Sequence, residues 1–468
     1  MSRKHTVEKI GGTSMTCFGD IMNNVIIAGR SGAELYNRAF VVSAYGGITN
    51  LLLENKKTGE PGIYGKFAEA NDEWEDKLEE TRQKMIRCNR SFESIGLNQE
   101  LADAFVEERV AGIKTCLNDL MRLHSFGHFN PKDYLPATRE FLSAFGEAHS
   151  AFNSVEILKK NGVNAVFVDL TGWKATKSLS MDDTIELAFK DIDFATCMPI
   201  VTGYVKCAEG IMNRFNRGYS EITFSKLAVL TNAKEGIIHK EFHLCTADPK
   251  LVGEDNVKII GNTNFDIADQ LSDMDMEAIH AKAAKLMEMK NISIRIKNAF
   301  EPDNEGTLIS RDFVSDHPRV DMICGRKDII ALEVFDPEMV GVSGYDYRLL
   351  KSFAECDINI IAKNTNANTI THYISEKSKE LDKCVNSLKK HFPGAKVSLH
   401  KVAIVAVIGS NMNIPGFLSR AANALATANI NVLALTQCMR QVNMQFIINR
   451  DYFDQAQIAL HKEFVELD

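Results

Sequence analysis

Lys9-Ile10-Gly11-Gly12-Thr13-Ser14 puts a cation, two glycines and two hydroxyls into one short stretch near the N-terminus. Paired glycines let backbone approach a ligand closely and present N–H groups to it. A helix beginning there would add partial positive charge, where phosphate binds readily. Lys9 would bring a full charge to a transferring phosphoryl group, and Thr13 and Ser14 could donate hydrogen bonds or cap the helix. The GxxxxGK[ST] spacing of a Walker A loop is absent. Taken alone, such a turn equally well does no more than join a strand to a helix. Four further stretches share its character: "VVSAYGGITNLL" with Ser43, Gly47 and Thr49; "FGEAHS", which places Glu147 near a helix start; "NRGYSE" with Arg217, Ser220 and Glu221; and "TADPKLV" with Asp248. Most fall where a strand is expected to end, the edge at which open α/β sheets take ligands. Plainer readings stand beside these. Glu147 could simply stabilise a helix dipole, Ser43 could be a turn hydroxyl, His149 reads as structural, and His280 reads as part of a helix.

The elements that would position these residues follow from the apolar pattern. "AFVVSAYG" (39–46), "NAVFVDL" (164–170), "CMPIVTGYV" (197–205) and "ISIRIKNAF" (292–300) are short apolar runs of the kind buried parallel strands show. Longer helical segments separate them, as α/β layering requires. Residues 66–123 instead carry apolar residues at three- and four-residue spacing among many charges, which predicts a helical insertion with a solvated face. Beyond "EPDNEGTLIS" and "SDHPR" the pattern changes. "LLKSFAECDINI" and "AANALATANINV" have the same helix, polar stop and strand order, so two copies of one small βαβ-type unit are expected.

Bulk properties exclude several functions. With 468 residues, two to four domains are expected. The net charge of −8 argues against a nucleic-acid partner but leaves room for a local basic pocket. No apolar run reaches the roughly 20 residues that span a bilayer, so no membrane association is expected. The first residues, "MSRKHTVEKIGG", lack the apolar core of a signal peptide. Ten scattered cysteines form no CxxC pair and no zinc-ligand spacing, and reduced thiols in the cytoplasm are expected.

In order along the chain, these motifs resemble those of the aspartate kinases, within the amino-acid kinase superfamily. "KIGGTS" is similar to KFGGTS, "VVSAYGGIT" to VVSA-x-GG-x-T, "FGEAHS" to FGE-xx-S, "NRGYSE" loosely to GRGGSD, and "TADPKLV" to TADPR. "IKNAFEPDNEGTLI" resembles the family's VKN-x-F…GTLI strand, and "IPGFLSRAANALATANINV" with "QVNMQFII" resembles the second of its paired ACT units. The likeness covers nearly the whole chain. It implies an α/β fold: an amino-acid kinase-like αβα sandwich over residues 1–312 with a helical insertion at about 66–140, then two ferredoxin-like ACT domains at 325–392 and 400–468. The activity it implies is transfer of the ATP γ-phosphoryl group to the β-carboxylate of L-aspartate. Mg²⁺ would travel with ATP on phosphate oxygens and water, with no protein ligand assigned. A homodimer or higher homo-oligomer through the ACT units is also implied.

By the same resemblance Lys9 neutralises the phosphoryl group, and Gly11, Gly12 and Gly47 bring amides to the phosphates. Thr13, Ser14, Asp248 and Lys282 are placed on the ATP side. Ser43, Thr49, Ser220 and Glu221 are placed on the substrate, Arg217 grips its α-carboxylate with a planar fork, and Glu147 faces its α-ammonium. Three departures stand out. Tyr219 and Glu221 alter GRGGSD; His239-Lys240-Glu241-Phe242-His243 replaces the nucleotide-side TDVDG; and Glu277 stands where an ATP-facing lysine is expected, with Lys282 five residues on. "FNRGYSE" with "MDMEAIH" is similar to the branch associated with ectoine synthesis, the lysine, threonine and methionine route being the alternative. In the last ACT unit Gln437 and Asn443 survive from an effector pattern. Met439 and Arg440 would crowd an amino-acid effector, so weakened feedback is expected. Two rival readings are a kinase for another acidic amino acid and a catalytically dead, ligand-sensing regulator.

Overall fold

The computed structural model describes residues 4–215, 218–276 and 278–467. The chain forms two compact units. The first runs to His243 and resumes over Ile279–Arg311; the second holds Leu244–Ala278 and continues from Asp312.

In the first unit, β1 (Thr6–Ile10), β2 (Arg38–Val42), β3 (Ala165–Val168), β4 (Met198–Thr202), β5 (Glu235–Lys240), β6 (Ser293–Asn298) and β7 (Thr307–Ser310) lie in the order β3-β4-β2-β1-β5-β6-β7. All pairs are parallel except β6 with β7. Every residue of β2 and β4 is buried, which is why β4 and β2 beyond Arg38 read as apolar runs: helices cover the two faces of such a sheet. β1 sits at the centre, with Lys9 opposite Val41 on one side and Ile238 on the other. The strand expected over 39–46 stops at Val42, and Ser43–Gly47 is the loop that follows it.

Residues 66–123 are helical. In the helix Trp74–Ser91, Trp74, Leu78, Thr81, Met85 and Asn89 are buried, a three-and-four spacing that forms one stripe. The side chain of Asn98 caps the partner helix Gln99–His124 by accepting from the Leu101 N–H. A third helix, Pro131–Lys160, continues onto the sheet and packs against β2, β3 and β4. It contains all of "FGEAHS", so Glu147 lies mid-helix and not near a helix start, and no strand end lies there. Apolar residues on both sides of the motif extend the helix across it.

The second unit is built on an antiparallel sheet. Its strands are β8 (Arg319–Phe335), β9 (Ile360–Thr365), β10 (Thr369–Ser375), β11 (Lys396–Ser410), β12 (Val432–Gln437) and β13 (Asn443–Asn449), in the order β9-β10-β8-β11-β13-β12. β8 and β11 pair along nearly their whole lengths. One end of this long pair joins β9 and β10 over a core containing Leu332, Leu349, Phe353 and Leu388; the other joins β12 and β13 over Val405, Phe417, Leu425, Phe446 and Leu460. Each half has four strand segments under two helices, the ferredoxin-like arrangement, but the two halves share continuous strands. The short sequence repeat did not reveal this. All ten cysteines are free thiols. Among the described residues, no helix is long and apolar enough to cross a membrane.

Candidate active site

Lys9 leaves β1 one residue before the chain enters the glycine pair, and a short helix, Gly12–Thr16, starts at once. Gly12 is required by a close approach: a Cβ there would stand 2.6 Å from the Ala44 carbonyl oxygen. The first glycine turn and the Ser43–Gly47 loop therefore press against each other. The Gly46 N–H adds a 2.9 Å bond to Thr16 Oγ1. Gly11 caps the helix without a side-chain bond, and Thr13 is exposed. Ser14 is buried and donates from both its backbone N–H and its hydroxyl to Glu241 Oε1, each at 2.9 Å.

Lys9 Nζ lies 3.6 Å from Glu221 Oε1, both side chains mostly buried. Burial alone would raise the Glu221 carboxyl. Lys9, Lys240 and the His280 N–H outweigh it and hold the group below its ordinary range. The His280 N–H donates to Glu221 Oε2 at 2.6 Å, and the His280 ring caps the helix Ala281–Met289 rather than lying within it.

A chain of hydroxyls joins the loop after β2 and the first turn of the helix Tyr219–Leu230 to the long helix. Ser43 Oγ donates to Ser220 Oγ at 3.2 Å, and Ser220 Oγ donates to Glu147 Oε1 at 3.1 Å. Gly203, which follows β4, permits this: a Cβ there would stand 2.6 Å from Ser220 Cβ and 2.9 Å from Glu147 Oε1. Glu147 is 2 % exposed, and its Oε2 has no hydrogen-bond partner among the described residues. Burial pushes its carboxyl up to about 8, against the opposing pull of Ser220, Lys9 and the Tyr204 backbone. Burial thus favours the neutral form of this group. Thr49 is half-buried on the short helix Ile48–Leu52 that follows Gly47.

Beneath the site, Arg38 holds Glu8 with two bonds, from Nε at 2.7 Å and NH2 at 3.1 Å, and His239 Nε2 lies 2.7 Å from Glu8 Oε2. Burial would raise Glu8, but Arg38 and His239 hold it far below the ordinary carboxylate range. His149 is fully buried against Asn89 and Asn153, and burial drops its ring to about 3, so it is neutral and structural.

The structure thus gathers Lys9, Gly11, Gly12, Ser14, Ser43, Gly47, Glu147, Ser220 and Glu221 around one sheet edge. Arg217 and Glu277 lie outside the described residues. Lys282 Nζ sits over the Phe215 ring, 5.3 Å from its centroid. Asp248 belongs to the second unit, where its side chain accepts from the Lys250 N–H. Also in that unit, Asn443 Nδ2 donates to Gln270 Oε1 at 2.9 Å, and Gln437 ends β12 exposed. Arg440 pairs with Asp266 at 2.8 Å, and Met439 is 94 % exposed, so within the chain Met439 crowds nothing. Glu241, Gly203 and the Glu8–Arg38–His239 cluster were not singled out from sequence as site residues. A carboxylate two residues beyond an ion-paired histidine on a central strand was the available signal for Glu241.

Two family models match the chain: the amino acid kinase family over residues 4–298 and the ACT domain over residues 405–464. A relative from Stutzerimonas stutzeri, "Aspartate kinase Ask_Ect", is 47 % identical over 464 residues, covering 99 % of this chain and 98 % of the relative. The aspartokinase of Schizosaccharomyces pombe is 24 % identical over 505 residues, covering 99 % and 93 %. In fold, the chain is similar to E. coli aspartokinase III in complex with aspartate and ADP: TM-score 0.72, 18 % identity, 98 % of this chain and 99 % of that one covered. It is similar also to the aspartate kinase of Clostridium acetobutylicum: TM-score 0.74, 17 % identity, 98 % and 100 % covered. With the family model spanning most of its first unit and a near-full-length relative at that identity, this chain belongs to the aspartate kinases of the amino acid kinase family.

Proposed function

We propose that the chain transfers the γ-phosphoryl group of ATP to the β-carboxylate of L-aspartate, giving 4-phospho-L-aspartate and ADP. The observation that carries this reading is Glu147: a buried carboxyl with one unpartnered oxygen, at the end of the Ser43–Ser220 hydroxyl chain and within electrostatic reach of Lys9. An α-ammonium group is the partner such an oxygen lacks. The acceptor carboxylate is already an anion at neutral pH, so its oxygen attacks phosphorus without a base while the bond to the leaving ADP oxygen breaks. The obstacle is repulsion between two anions, and the site meets it by positioning and charge neutralisation. Lys9 addresses the transferring group from the glycine turn. Arg217, by its place in the motif, is assigned the substrate α-carboxylate.

Among the described residues no three His, Cys, Asp or Glu gather as a cation site. Among the described residues Glu241 is the one carboxylate hydrogen-bonded to the glycine-turn helix, which suits an ion that keeps most of its ligands as phosphate oxygens and water. Bound Mg²⁺ would neutralise phosphate charge there. ACT pairing in a homo-oligomer is proposed with this reading, as are kinase and ACT domain limits near 1–312, 325–392 and 400–468. So is the ectoine branch, on "FNRGYSE" and "MDMEAIH".

Trapping the acyl phosphate with hydroxylamine, in the presence of L-aspartate, L-glutamate or no acceptor, tests the reaction. Aspartate-dependent hydroxamate is expected, and K9A should lower its rate by about 10²-fold or more, the scale of a lost transition-state charge contact. Without aspartate-dependent product the ligand-sensing regulator becomes the better reading.

A further inference from the structure

The helical insertion delivers a cation to the phosphate-side loops. Gly47 has φ of +79°, and its bare face is covered by a side chain from the helix Trp74–Ser91: a Cβ on Gly47 would stand 2.7 Å from Lys84 Nζ. On that helix Arg87 and Arg90 are exposed and have no ion pair among the described residues, whereas other cations on or near it are matched with acids. Lys77 pairs with Glu80, Arg82 with Glu79 and Glu107, Lys66 with Glu73, and Lys114 with Glu75. Lys84 is half-buried, and its Nζ has no hydrogen-bond or ion-pair partner among the described residues. A half-buried ammonium facing a glycine loop with no counter-ion is free to pair with an arriving anion.

The loop it covers belongs to the reaction edge. Ala44 O lies against Gly12, and the Gly46 N–H is bonded to Thr16, so Gly47 is braced on the turn that carries Lys9. Lys9 cannot supply all the positive charge needed, because Glu221 already lies 3.6 Å from its ammonium. Lys282 is turned onto the Phe215 ring. We propose that Lys84 is a catalytic residue whose ammonium contacts a terminal phosphate oxygen at Gly47 and neutralises charge as the phosphoryl group passes to the acceptor carboxylate. Lys84 keeps its proton throughout: the phosphorus–oxygen bond to ADP breaks, and the bond to the carboxylate forms. The inference rests on the kinase reading above and assigns the insertion a part in the chemistry.

The test uses the full-length protein, with K84M and K84R assayed by hydroxamate formation and by thermal denaturation. K84M should lose about 10²-fold in kcat with an unchanged melting temperature, and K84R should recover part of that loss because it restores the charge. A second readout separates chemistry from packing. Loss of Lys84 should weaken binding of a non-hydrolysable ATP analogue more than binding of ADP, since only the former carries the terminal phosphate; equal weakening overturns the proposal. A K84M enzyme within about twofold of the parent kcat also overturns it and leaves the kinase reading intact. Absence of aspartate-dependent product from the parent enzyme removes both. If K84M does not fold, K84Q carries the same comparison.

Discussion

Under the proposed function, Glu147 would couple substrate binding to a proton. Its carboxyl is pushed up to about 8 by burial, which favours the neutral form at pH 7. An ammonium group placed against the unpartnered Oε2 reverses the balance, because the charged carboxylate then gains its partner. Aspartate binding at pH 7 should therefore release close to one proton, measurable by calorimetry in buffers of different ionisation enthalpy. Binding enthalpies that do not vary with buffer would refute the assignment. The same group bears on stability. Its folded pKa lies above the unfolded one, so its contribution is fully present below about 4.5 and is lost as pH rises through about 8. E147Q removes that loss. The variant should melt higher than the parent at pH 8, converge with it toward pH 5, and bind aspartate poorly at every pH.

At the scale of elements, the sheet owes its centre to an ion cluster as well as to apolar packing. Glu8, Arg38 and His239 link β1, β2 and β5 through bonds of 2.7–3.1 Å, with Glu8 2 % exposed. R38A would leave the Glu8 carboxylate buried without its main partner, a loss on the order of 3–5 kcal/mol. Denaturant midpoints measure it, and a cost under about 1 kcal/mol would show that water or His239 replaces Arg38. Strands β2, β3, β4 and β6 were legible in the sequence as short apolar runs, whereas β5, Glu235–Lys240, was not, because it is short and carries polar residues at both ends. The glycine turns were legible because Gly12 and Gly47 recur beside lysine and hydroxyls. Glu147 was found as a residue but misplaced as an element: nothing in "FGEAHS" says that the helix begins at Pro131, sixteen residues earlier. Glu241, Gly203 and Lys84 were missed for a different reason. Their partners, Ser14, Ser220 and Gly47, are remote in sequence, and only the folded sheet and insertion bring them together.

Across the whole molecule the remaining question is whether an amino acid talks to the kinase through the second unit. In that unit the chain itself occupies the turn between β12 and β13. Asn443 is 8 % exposed and spends its amide on Gln270, while Arg440 reaches Asp266 on the same helix, Phe265–Asp273. An effector seeking the Asn443 Nδ2 would have to displace Gln270, and one seeking an anion contact from Arg440 would compete with Asp266, which leaves only the Asn443 Oδ1 without a partner among the described residues. Each exchange swaps one polar partner for another, so little free energy remains to drive binding. Sequence alone suggested weakened feedback for a different reason, crowding by Met439 and Arg440, but Met439 is exposed and Arg440 pairs with Asp266. Lysine or threonine at millimolar concentration should therefore leave the hydroxamate rate and the melting temperature unchanged. Q270A is the informative variant: with Gln270 gone the Asn443 amide is free, and sensitivity to an added amino acid should increase if the turn retains an effector site at all. Inhibition of the parent enzyme by either amino acid at micromolar levels would mean that Gln270 and Asp266 do not seal this turn.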